Sequence, residues 1–159
     1  MQAKGTNSNT GEYFEVNLNG LDQSFIESML KFDLPDNYVK KAIENLNVSA
    51  DVKSMLYSFS KATLKVGEYI LKIGRKIIDF VFQIYKEYPS ATFGMIFGAI
   101  AGFLVSTIPI IGTLLGAFFT PIAIAIGLVG GIKEDLKDKA LLRKIAEANA
   151  KFSPLGTEG

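Results

Sequence analysis

Residues 88–132 read YPSATFGMIFGAIAGFLVSTIPIIGTLLGAFFTPIAIAIGLVGGI, 45 consecutive positions without one Asp, Glu, Lys or Arg. A single helix of that length would run ~67 Å, about twice the ~30 Å hydrocarbon core of a bilayer. Pro109 stands near its middle, and a proline inside a helix removes a hydrogen bond and clashes with the preceding turn. The natural parse is two apolar helices, 90–108 and 110–131, turning at Ser106, Thr107 and Pro109, with Gly112 just beyond and Pro121 kinking the second arm. Gly94, Gly98 and Gly102 recur at four-residue steps, so three bare backbones share one helix face. In lipid such a glycine zipper supplies the close approach through which helices associate.

Charge frames the block. Residues 1–60 sum to −3, 61–87 to +3 and 133–159 to +1. The basic residues Lys65, Lys72, Arg75, Lys76 and Lys86 precede the apolar run, and Lys133, Lys137, Arg143 and Lys144 follow it. Basic flanks on both sides predict a membrane surface contact with both termini in the cytoplasm, at the cell membrane. The polar start, MQAKGTNSNTG, has no apolar stretch to serve as a secretory signal. A total of +1 with no free basic stripe argues against nucleic acid.

Outward from the block, Val52, Met55, Phe59, Val66, Tyr69, Ile73, Ile77, Phe80 and Ile84 recur at threes and fours between Ser49 and Tyr88. That spacing predicts one long basic amphipathic helix over 49–88. Gly67 and Gly74, seven apart, are read as a stripe for a second helix. Two short helices are expected in 21–48, with Asn19, Gly20 and Asp22 offering start chemistry, and Ser49 is read as the N-cap of the long helix. Residues 1–20 read as an extended arm carrying one strand-like alternation, Phe14, Val16 and Leu18. Residues 133–152 read as a C-terminal amphipathic helix, and 153–159 as a tail.

With no His and no Cys, the chain holds no Ser-His-Asp triad, cysteine nucleophile, Cys/His zinc site or disulfide. Asp33, Asp36 and Glu44 read as a solvated helical face. The expectation is therefore no enzyme, no cofactor and no metal. The residues predict an all-α membrane protein: a long amphipathic helix, a transmembrane helical hairpin over 89–132 and a C-terminal helix. Its expected function is a homo-oligomer joined through the zipper that permeabilises the bilayer, as a toxin or lysis effector would. The alternative is an anchor or scaffold recruiting a protein partner through residues 12–48. Over 88–132 the uncharged hairpin resembles, in texture alone, that of α-helical pore formers and holins such as the colicin pore domain. No residue role is carried over from it.

Overall fold

In the computed structural model, which describes residues 1–8, 10–32, 34–88, 91–126 and 138–156, the polar N-terminus is a strand. β1 (Gln2–Thr6) buries Ala3 and Gly5 and exposes Gln2, Lys4 and Thr6. β2 (Tyr13–Asn17) returns antiparallel beside it, with Ala3 opposite Val16 and Gly5 opposite Phe14. A side chain at Gly5 has no room: a Cβ there would lie 2.9 Å from Phe14 Cζ and 3.1 Å from Leu64 Cδ2. β3 (Leu64–Val66) and β4 (Tyr69–Leu71) complete a four-stranded antiparallel sheet in the order β2-β1-β3-β4.

The all-α expectation is thereby corrected, and the long helix with it. The stretch 49–88 is instead α3 (Ala50–Ser60), the β3–β4 hairpin and α4 (Ile73–Glu87). Gly67 makes the difference. It sits at φ +59° in the two-residue turn between the paired Val66 and Tyr69, a left-handed conformation that glycine reaches without a Cβ clash. Leu64 and Val66 then point inward and Lys65 outward, so the same apolar spacing that suits a helix is used at period two.

Before α3 come α1 (Gln23–Lys31) and α2 (Asp36–Glu44). Asp22 caps α1, its Oδ1 accepting the Phe25 N–H at 2.8 Å, and Ser49 Oγ caps α3 by accepting from Val52 N–H at 3.2 Å. α4 begins hard against the end of α3: Gly74 N–H donates to Ala62 O at 3.0 Å, and a Cβ on Gly74 would collide with the Phe59 carbonyl oxygen.

The charge-free block forms α5 (Phe93–Phe97), a π-helical turn (Gly98–Gly102), α6 (Phe103–Thr107) and α7 (Pro109–Ala125). Pro109 is the first residue of α7, where its missing N–H is not needed. The arms fold back closely, since a Cβ on Gly112 would stand 2.7 Å from Val105 O. Ile96, Phe97, Ile100, Leu104, Ile110, Ile111 and Leu115 are fully buried. Phe97 meets Phe59 of α3 edge-on, ring centroids 5.4 Å apart. α8 (Lys139–Ala150) and a 3-10 turn (Ser153–Gly156) lie against this core, with Phe152 edge-on to Phe80 of α4 at 5.8 Å.

No helix among the described residues is long and apolar enough to cross a membrane. The physical reason is length: the 17 residues of α7 rise only ~26 Å, and the other arm ends by Thr107 after its π turn. The transmembrane hairpin is corrected on this ground. So are the pore-forming role drawn from it and the integral cell-membrane location it implied.

Two glycine substitutions test the packing from opposite sides. Gly74→Ala forces α4 off the Phe59 carbonyl and is expected to lose ~1–3 kcal/mol or more, as overpacked cores do. Gly116→Ala places its Cβ 4.0 Å from Val105 Cγ1, ordinary contact distance, and is expected to gain ~0.5–1 kcal/mol of helix propensity. Urea unfolding of both variants reads the two signs.

Candidate functional site

Side-chain size on two facing helices shapes a wide opening among the described residues. Gly98, Ala99 and Gly102 present almost no bulk on one wall, and Ala146 and Ala150 of α8 present little on the other. Backbones thus bordered cannot fill the space between them, and a groove of about 1090 Å³ remains. Phe103 and Leu142 stand at its rim, 49% and 43% exposed. Ile108, Ser153 and Gly156 line it further along.

The groove's polarity is sparse and specific. Ser106 Oγ and Thr107 Oγ1 both donate to Phe103 O, at 3.0 and 2.7 Å, so their protons are spent on their own helix. Asn149 differs: its Oδ1 is closed off from solvent and, among the described residues, has no hydrogen-bond partner. A buried unpaired acceptor costs ~1–3 kcal/mol, which an incoming N–H or O–H would recover once the Asn149 side chain turns toward the groove. None of the lining residues ionises near neutral pH. Among the described residues, the groove's polar side chains are Ser, Thr and Asn, which can hold and orient a molecule.

The sequence-predicted zipper is split by this geometry. Gly98 and Gly102 line the groove, while Gly102 also receives the chain's own second arm, with Phe119 Cζ 3.1 Å from where its Cβ would be. Gly94 lies in α5, half-buried. Gly67 is a turn residue and Gly74 a helix-start contact, so the two do not share a stripe. Ser106 and Thr107 end α6, and Pro121 lies inside α7 with its ring exposed.

The basic residues do not gather into one face. Arg75 is buried to 12% side-chain exposure, donating to Leu34 O at 3.1 Å and to Asp36 Oδ1 at 2.9 Å. Asp36 Oδ2 accepts from Tyr57 O–H at 2.7 Å, and this hydrogen bond raises the Tyr57 pKa. Lys76 lies over the rings of Phe32 and Phe80, at 4.3 and 4.8 Å from their centroids, and burial lowers its pKa. Asp79 is raised, chiefly by burial. Lys86 donates to Tyr38 O–H at 3.3 Å, and Lys144 pairs with Glu87 at 3.8 Å. Lys65 is on the sheet's outer side, Lys72 precedes α4 and Arg143 is exposed on α8. Lys133 and Lys137 lie outside the described residues.

Sequence reasoning missed Asn149 and Ser8. Nothing in a polar, Asn-rich start marks Ser8, yet its N–H and Oγ both donate to Thr113 O, at 3.0 and 3.3 Å. Its Oγ in turn accepts from Ala117 N–H at 3.1 Å. The N-terminal hairpin is thus stitched into the backbone of α7 one turn before Pro121. Pro121 is no signal for it either, since the proline leaves the Ala117 carbonyl without its helical donor whereas Ser8 bonds Thr113 O and the Ala117 N–H.

No protein-family model, curated protein or solved structure matches the chain.

Removing the stitch separates local from global stability. Ser8→Ala is expected to cost ~1–2 kcal/mol, the loss of two side-chain hydrogen bonds. Hydrogen exchange at the Ala117 amide is expected to accelerate more than at the core amides of α4, as measured by NMR.

Proposed function

We propose that this protein is a non-catalytic binding module that holds one elongated apolar small molecule bearing an uncharged N–H or O–H. The observation that carries the reading is the unpartnered Asn149 Oδ1 in an otherwise apolar, uncharged groove. Apolar walls favour a hydrocarbon body by about 25 cal/mol per Å² removed from water. Asn149 Oδ1 favours a head group that donates, and the hydroxyl oxygens of Ser106, Thr107 and Ser153 stand beside it as further acceptors. A charged head is disfavoured, because no lining residue would neutralise it. At about 1090 Å³ the groove lies just above the ~300–1,000 Å³ range of ordinary ligand pockets, room enough for an alkyl chain. Composition supports the absence of chemistry: the chain has no His or Cys, and the groove presents only Ser, Thr and Asn as polar side chains.

A long-chain alcohol loses its donor and gains one methyl group on conversion to its methyl ether. Isothermal titration of dodecanol against its methyl ether reads the donor against that added apolar group, which favours the ether. The native chain is expected to prefer the alcohol by about fivefold or more, the value of one hydrogen bond. Asn149→Leu should abolish that preference while retaining affinity for both. Ala146→Phe, which fills the groove from an exposed position on α8, should remove binding of both with the fold intact by circular dichroism. Equal binding of alcohol and ether by the native chain, or undiminished binding in the Phe variant, would contradict the reading.

A further inference from the structure

Lys4 and Lys65 are direct partners across the β1–β3 ladder, both on the outer side of the sheet. Like charges placed opposite one another weaken a sheet. Glu15 pairs with Lys4 at 3.3 Å from the next strand, yet among the described residues no carboxylate pairs with Lys65. The ladder also stops short. β1 pairs with β3 only at Ala3 and Lys4, and where the strands part a cavity of about 590 Å³ opens that shares no lining residue with the Asn149 groove. Lys61, at the end of α3, rests its ammonium 4.4 Å over the Tyr57 ring, from which an anion could draw it, and also lines the cavity. Hydroxyls of Ser58 and Thr63 stand beside it, and Leu114 and Phe118 of the buried hairpin line it as apolar surface.

We propose that this cavity binds a phosphate monoester carried on an apolar body. Three ammoniums and one carboxylate leave a local surplus of positive charge, and a dianionic phosphate relieves the Lys4–Lys65 repulsion that the sheet otherwise bears. Lysine binds phosphate as a point charge without demanding fixed geometry, which suits three flexible chains at a rim. The neighbouring hydroxyls offer hydrogen bonds to the remaining phosphate oxygens. The Leu114 and Phe118 surface then takes the apolar body, which a free inorganic anion lacks. A nucleic-acid backbone is a poorer match, because the charge is confined to one concave pocket rather than a stripe.

The full chain is titrated with phenyl phosphate and with inorganic phosphate, following backbone amide shifts by NMR. Phenyl phosphate is expected to bind saturably and more tightly, with shifts centred on Lys4, Lys61 and Lys65. Lys61→Gln and Lys65→Gln are each expected to weaken it about tenfold, the loss of one charge-assisted contact. Lys40→Gln on α2, which lines no part of the cavity, should leave it unchanged. Lys65→Gln should melt no lower than the native chain, since it relieves the opposed pair. Vesicles containing phosphatidic acid form the second arm. Lys65-dependent binding to them beyond that of phenyl phosphate would assign the same chemistry to a lipid headgroup. Equal affinity for inorganic and phenyl phosphate would overturn the apolar-body assignment. Failure to saturate, or equal weakening by Lys40→Gln, would overturn the site.

Discussion

The close backbone contact between the two arms of the apolar hairpin, with Val105 O against the bare Cα of Gly112, governs the rest of the structure. Two uncharged helices held that near each other present apolar side chains on every outward side, and each fully buried Leu, Ile or Phe contributes about 1.5–3 kcal/mol only when something covers it. α3 and α4 cover one side through Phe59, Ile77 and Ile78. The sheet covers another, and Ser8 fastens it to α7 by joining the backbone hydrogen bonds around Thr113 and Ala117. Most of the described charged residues fall on the outside of the covering elements, with Arg75 the largely buried exception held by Asp36 and Leu34 O.

What the sequence makes legible is the apolar block and the helix start at Pro109, because charge and proline act locally. The capping residues Asp22 and Ser49 are legible for the same reason. The destination of the block is not. A helix apolar all round is equally at home in lipid and in a protein core, and only the realised helix lengths distinguish them. β1 is hidden because Ala3, Lys4 and Gly5 have little strand propensity. The stretch forms a strand because Gly5 is small enough to lie under Phe14 and Leu64 while Ala3 sits between Val16 and Val66, a tertiary fact. The apparent rod over 49–88 fails at Gly67 for a complementary reason: Leu64, Val66 and Leu71 satisfy both a helical stripe and the inner face of a strand pair, and the left-handed glycine decides between them.

Small residues have three separate uses in this fold, and the sequence pattern does not separate them. Gly74 and Gly112 admit a neighbouring backbone, Gly102 admits an aromatic ring from the other arm, and Gly98 with Ala146 and Ala150 leaves a space unfilled. Only the last use creates a site. The zipper spacing identifies the helix face that matters, while Asn149, forty-seven positions beyond Gly102, becomes meaningful only when α8 is laid across from it.

The account stands on the hairpin being the core of the domain. The chain has no cysteine, so one introduced at Ile96, fully buried, reports directly against one introduced at Ile124, 63% exposed. In detergent-free buffer the Ile124→Cys thiol should react with a water-soluble disulfide reagent at once. The Ile96→Cys thiol should react only as fast as the whole domain unfolds, and as readily as the first in concentrated urea. Rapid labelling at both positions without denaturant, or a chain that stays dispersed only in detergent, would contradict a self-packed hairpin.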